Sequence, residues 1–188
     1  MSVPALVICG LTVFVLALTL AYSRWRNEGG VRAERASRPR ALIDTELLYA
    51  EKLFRVSDPV SLVAKIDRAY RLPSGLVVLV ELKARWADRT FPSDVIQLSA
   101  QRLALEGQTR QAVARYGYVT VQAPTRPIVR RSHRVELLST DDVVALIRRR
   151  DAILAGRIEP RYADSRSACR TCAYQVECAG VRATAWLR

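Results

Sequence analysis

Lysine is almost missing from this chain. Of 30 basic side chains only Lys52, Lys65 and Lys83 are lysines, against 18 acidic ones, for a net charge of +12. The positive charge is therefore arginine's, whose planar fork matches phosphate oxygens and stays charged when partly buried. Nucleic acid and anionic lipid both fit such a surface, as does a generally basic protein with no polyanionic partner. Cysteine is scarce as well. Four cysteines, three of them close together near the C-terminus, do not make a disulfide framework and exclude a small stapled scaffold. No internal repeat is present. Disorder is excluded by a composition that is 50% hydrophobic and 26% charged. A length of 188 residues suits one membrane segment plus one compact domain and leaves little for a second.

Charge is also absent where it is usually found. Residues 3–22, VPALVICGLTVFVLALTLAY, carry none over 20 residues, which is long enough to cross a bilayer at about 1.5 Å per residue. No basic side chain precedes this run, whereas Arg24, Arg26, Arg32, Arg35, Arg38 and Arg40 follow it. A cleaved signal peptide would want a basic start and a shorter apolar stretch. A retained single-pass anchor is expected, with the rest of the chain on the cytoplasmic side. Cys9 is then a small apolar residue in lipid. The expected organisation is an anchor over 1–22, a flexible basic linker over 23–41 lying against lipid headgroups, a domain over 42–160, and a cysteine segment over 161–188.

Within the domain, Leu47, Leu48 and Phe54 give Thr45–Phe54 helical spacing. Val60–Leu72 reads as a strand ending at Pro73-Ser74-Gly75. Leu76–Trp86 reads as a second strand, apolar on both faces and therefore central. Ser93 is placed to cap a helix reaching about Glu106, with Asp94 in its first turn. Tyr116–Gln122 and Ile128–Leu138 read as strands. A last helix is expected from a cap at Thr140, with Asp141 and Asp142 early, Arg148, Arg149 and Arg150 late, and Gly156 past its end. The order indicates an α/β domain with helices flanking a central mixed sheet.

The chemistry concentrates in Asp67, Glu81 and Lys83. Side chains alternate along a strand, so Glu81 and Lys83 share one face and Leu82 points the other way. A three-residue loop centred on Ser74, with Gly75 at positive φ, sets Asp67 directly across from Glu81. A two-residue loop would send Asp67 to the other face. Two carboxylates that close repel unless a cation lies between them, and their oxygens suit Mg²⁺ or Mn²⁺. Lys83 beside them can position water or meet charge building on a phosphate. The bland alternative is an exposed strand end with an ordinary Glu/Lys pair.

Ala64-Lys65-Ile66-Asp67, then Glu81-Leu82-Lys83, then Gln97 resembles the PD-(D/E)XK nuclease superfamily. The order and spacing look like its RecB-type branch, with G-x-x-D, E-x-K and Q-x-x-x-Y. Adding Cys169-x-x-Cys172-x5-Cys178, the chain looks most like the CRISPR-associated adaptation exonucleases that carry an iron–sulfur cluster, over residues 45–180. The resemblance implies a restriction-endonuclease-like core preceded here by one transmembrane helix. It implies Asp67, Glu81 and the Leu82 carbonyl as metal ligands, Lys83 as catalytic lysine, and Gln97 as an orienting residue. Ala64 replaces the motif glycine. Gln101 stands where the motif tyrosine belongs, as a weak candidate for contacting DNA. Gln97 and Gln101 share one helix face, which could equally be plain polar surface.

The family's cluster takes four cysteines, and the leading one is absent from residues 23–60. A [4Fe–4S] cluster on Cys169, Cys172 and Cys178 would need another fourth ligand, His133 being a poor candidate. Zinc is the alternative, and an empty vestige the third. His133 reads as a surface residue, and Tyr174 as packing against the domain. Three functions stay open: a DNA nuclease with metal-activated water, a non-catalytic relative that binds DNA or a protein at the membrane, and a protein whose arginines serve lipid alone.

Overall fold

A computed structural model describes residues 30–161 and 172–176. Residues 3–22, Cys9, Cys169 and Cys178 lie outside the described residues. Among the described residues no helix is long and apolar enough to cross a membrane. The chain divides into two compact units between Ala145 and Leu146, and the sheet and the candidate site belong to the first.

Five strands form one sheet in the order β1 (Glu46–Val56), β2 (Leu62–Arg71), β3 (Val77–Ala84), β4 (Val113–Ala123) and β5 (Arg126–Glu136). Neighbours run antiparallel except β3 and β4, which are parallel. A parallel pair needs a crossover, and α1 (Pro92–Thr109) supplies it. The second helix, α2, spans Thr140–Leu154. The fold is thus α/β, with a central mixed five-stranded sheet and helices.

β3 is the middle strand, and its residues Val77 to Glu81 are all buried. Val77 and Leu79 join Phe54, Ile66, Val119 and the α1 residues Leu98 and Leu105 in one core cluster. Val78 and Val80 join Leu42, Tyr70 and Ala114 in the other. Strand alternation thus makes one apolar run serve two cores, and each fully buried Val or Leu contributes about 2 kcal/mol. A Cβ on Gly117 would lie 3.0 Å from the Leu79 carbonyl oxygen, so glycine lets β4 run this close to β3 where their register shifts.

The segment expected as a first helix is instead β1. Glu51 sits at φ 51°, and around it the strand changes face. Tyr49 and Phe54, five residues apart, both pack into the α1-side cluster, with their rings 5.1 Å apart, edge to face. An unbroken strand would put them on opposite faces. The break turns a spacing of two into one that imitates a helix. β2 changes face alongside: Leu62, Ala64 and Ile66 belong to that cluster, and so does Ala69.

Both helix caps also differ from expectation. α1 is capped at Phe91 rather than Ser93, with Pro92 as its first residue and the Asp94 carboxylate accepting the Phe91 N–H at 2.8 Å. Proline's fixed φ and missing donor cost nothing there. α2 is capped by Ser139, one residue before Thr140: Ser139 Oγ accepts the Asp142 N–H at 3.1 Å, and the Asp142 carboxylate accepts the Ser139 N–H at 3.2 Å. In the second unit, α2 ends as expected on Gly156 at φ 67°, with Arg157 N–H donating to the Ala152 carbonyl at 2.8 Å. Tyr174 is 70% exposed.

The second half of the segment read as a flexible linker is structured. Residues 30–36 are helical, and Ser37 and Pro39 are buried. Glu34 accepts Arg38 Nε at 2.8 Å and the Tyr70 hydroxyl at 2.5 Å, while Arg68 donates to Ser37 Oγ. This network fastens the segment to β2.

Candidate active site

The loop between β2 and β3 sets the register on which the site depends. Leu72 N–H donates to the Leu76 carbonyl and Gly75 N–H to the Leu72 carbonyl, both at 2.9 Å, and Gly75 takes φ 84°. Three residues, Pro73-Ser74-Gly75, therefore form the loop, with glycine where a Cβ would be strained. The pairs Arg71↔Val77 through Arg68↔Val80 follow, as a loop centred on Ser74 requires. The next pair would be Asp67 with Glu81, but the ladder stops one rung short. In place of that rung the Leu82 N–H donates to Asp67 Oδ2 at 2.8 Å. β3 continues alone with β4, through Glu81↔Val119 and Lys83↔Val121.

Glu81 is 3% exposed at the end of the buried run. Lys83 Nζ lies 2.9 Å from its Oε1. Gln97, one turn into α1, donates to the same oxygen at 2.7 Å and accepts Lys83 Nζ at 2.7 Å on its carbonyl side. Gln101, the next turn along, donates to Glu81 Oε2 at 2.7 Å and to the Lys65 carbonyl at 2.9 Å. Burial pushes the Glu81 carboxyl up from its ordinary range. Hydrogen bonds from Lys83 and Gln101 pull against that, and the charge of Asp67 pushes it further up.

The structure therefore brings Asp67, Glu81, Lys83, Gln97 and Gln101 into one constellation. Neither glutamine is idle helix surface. Gln101 is 1% exposed and bonded inward, so the position expected to carry a tyrosine holds an amide aimed at Glu81. Its Oε1 is buried without a hydrogen-bond partner.

One further pair was missed from sequence. Arg85 donates to Asp94 at 3.1 and 2.7 Å in a two-pronged contact, and Asp94 is 2% exposed. This pins the end of β3 to the first turn of α1, fixing Lys83 against Gln97. Arg85 lies two residues past Lys83, hence on its side of the strand, and that spacing was the available signal. His133 bonds Asp88 Oδ1 at 2.8 Å and lies on β5, as a surface position would. In the cysteine segment Cys172 is exposed, while Cys169 and Cys178 fall outside the described residues.

The donors fit a small divalent cation. All are hard oxygens, and burial disfavours the Glu81 carboxyl as an anion, with the charge of Asp67 adding to that. Among the described residues no group of three or more His, Cys, Asp or Glu side chains could hold a metal ion. Two carboxylates fit a cation that keeps several waters and accepts phosphate oxygens, as Mg²⁺ does.

The model of the PD-(D/E)XK nuclease superfamily matches residues 16–179. No curated protein matches the chain. Among solved structures, that of SSO0001 resembles it at 16% identity and a TM-score of 0.45, covering 86% of this chain and 73% of that one. The alkaline exonuclease LHK-Exo from Laribacter hongkongensis also has 16% identity, with a TM-score of 0.42 over 68% of this chain and 66% of its own.

Proposed function

The chain belongs to the PD-(D/E)XK nuclease superfamily, and from that premise we propose that it is a metal-dependent DNA nuclease, working like an exonuclease on single-stranded ends. The observation that carries the reading is Glu81, a buried carboxylate of raised pKa beside Asp67, gripped by Lys83, Gln97 and Gln101. A carboxylate raised by burial and by a specific charged neighbour marks a functional-site candidate.

Mg²⁺ or Mn²⁺ would be held by Asp67, Glu81 and the Leu82 carbonyl, supplying an activated water and neutralising charge on the phosphate. The chain's own groups do the rest. Lys83 offers its ammonium to the phosphate oxygens or orients water. Gln97 holds Lys83 to Glu81, so that cation and carboxylate keep one geometry. Gln101 fixes the second Glu81 oxygen from behind and is a positioning residue. The arginine-rich surface would hold the nucleic-acid backbone through phosphates, so binding should fall steeply with salt.

The rest of the reading comes from sequence. Residues 3–22 anchor the chain as a single pass, with the nuclease domain cytoplasmic. Cys169, Cys172 and Cys178 hold an iron–sulfur cluster, with zinc as the alternative, and the family match spans all three positions. The arrangement resembles the RecB-type branch and its CRISPR-associated members. A second reading, a fold retained for binding DNA or a partner without turnover, is favoured by Gln101 in the place of the motif tyrosine.

The test is cleavage of end-labelled single-stranded DNA by the full-length chain in Mn²⁺ and Mg²⁺. Wild type should release nucleotides and Lys83→Ala should not. Equal cleavage by both would overturn the assignment. DNA retention without turnover in either metal would select the second reading.

A further inference from the structure

Three residues beyond Lys83 a tryptophan stands in water. Trp86 is 70% exposed, and among the described residues before Ala145 no other aromatic side chain is comparably open. A single exposed aromatic is ordinary on a protein surface. What sets this one apart is the loop that carries it.

Arg85, Asp88 and Arg89 around Trp86 are each fastened. The Arg85 N–H donates to the Gln122 carbonyl at 3.0 Å, and its side chain grips Asp94. The guanidiniums of Arg85 and Arg89 lie 4.5 and 4.9 Å from the centre of the Phe91 ring. Asp88 is bonded to Arg131 and to His133 on β5, each at 2.8 Å. The loop between β3 and α1 is thus tied to β4, β5 and α1, and it holds an indole out while its own chain stays put. Three residues span about 10 Å at most, so the backbone of Trp86 stays within a nucleotide or two of that of Lys83. The cations nearby suit a polyanion: Arg89 is exposed, and the Arg131 side chain is 72% exposed.

We infer that Trp86 is a stacking platform for an unpaired nucleobase of the strand whose phosphate reaches Glu81 and Lys83. The inference rests on the nuclease reading and adds how the strand is chosen. An aromatic face takes any base, because every base has a π surface, but only a base whose own face is free. Bases inside a duplex offer none. The platform thereby selects single-stranded ends without reading their sequence, and the surrounding arginines add backbone attraction that does not discriminate.

The experiment uses the full-length chain in Ca²⁺, which keeps a divalent ion present without turnover. Affinities are measured for a labelled oligothymidylate, for the same strand with abasic sites, and for a blunt duplex. Trp86→Ala should weaken oligothymidylate binding about tenfold, Trp86→Phe should restore most of it, and duplex and abasic-strand binding should not change. Melting temperature should be unchanged, since the ring is exposed. Equal binding of oligothymidylate by wild type and Trp86→Ala would overturn the platform. So would an equal loss on duplex, or a loss confined to binding of phosphatidylserine vesicles, which would make the indole a lipid contact. Cleavage in Mn²⁺ is scored separately: a wild type that binds through Trp86 but never cuts would sink the nuclease reading and leave the platform standing.

Discussion

Glu34 and Glu81 are both withdrawn from water beside the same sheet, yet their carboxyls shift in opposite directions. Burial raises both. At Glu34, hydrogen bonds from Arg38 and Tyr70 and the charges of Arg38 and Arg68 overcome burial and hold the group below the usual range. Tyr70 in turn is pushed up to about 12 by burial and by its bond to Glu34. At Glu81, burial prevails over Lys83 and Gln101, and Asp67 adds its negative charge. Glu34 is a clasp with its charges balanced. Glu81 has a second carboxylate acting on it, an arrangement that the proposed metal ion would complete. The contrast separates a carboxylate that holds the fold from one proposed to serve chemistry.

Glu81→Gln should break the contrast most visibly. Turnover should fall on the order of 10³-fold or more, as when a transition-state charge loses its stabiliser. Stability should move the other way. A carboxyl raised in the folded state lends stability that is complete below its unfolded pKa and is lost as pH rises through the folded value. A neutral amide removes that loss, so the variant should melt at or above wild type at pH 8 without divalent ions, and Mn²⁺ should raise the melting temperature of wild type alone. A variant that melts well below wild type would put Glu81 in the same class as Glu34.

Glu34→Ala should do the reverse and cost about 2 kcal/mol, because it strands Arg38 and the Tyr70 hydroxyl. The Mn²⁺ shift should survive. The lowered Glu34 pKa means its contribution is present above the unfolded carboxylate value and fades as pH falls through the folded one. The acid limb of stability against pH should therefore flatten in the variant, and an unchanged limb would show the clasp to be weak. The smallest effect is expected from Gln101→Ala, with Mn²⁺ affinity down about tenfold in a calorimetric titration, the usual scale for a group that orients a ligand. Unaltered affinity would reduce Gln101 to packing.

Much of the architecture could be read from the chain, and the exceptions have physical causes. The β2–β3 hairpin was legible because Pro73-Ser74-Gly75 fixes loop length and Gly75 meets its positive φ. β3 was legible because a strand buried on both faces loses its alternation. β1 was misread because Glu51 breaks the alternation on which strand recognition depends. At the site, the loop length that leads β2 and β3 towards Asp67 and Glu81 could be read, although the ladder ends one pair before them at Arg68↔Val80, while the inward turn of Gln101 could not. A glutamine on a helix carries no sign of which way it faces until the sheet beneath supplies Glu81 and the Lys65 carbonyl. The spacing that sets Arg85 on the Lys83 side of the strand could be read, but its partner Asp94, nine residues on across a loop, is beyond the reach of any local pattern.

The contact between Asp67 and the Leu82 amide has a consequence for assembly. It stands in for a backbone rung, so the side chain that faces the prospective ion also ties off the hairpin's open end. Zipping these two strands and shaping the oxygen-lined cradle are then a single event. A chain that has closed this hairpin to its last bond has, by the same bond, already aimed one of its two acids.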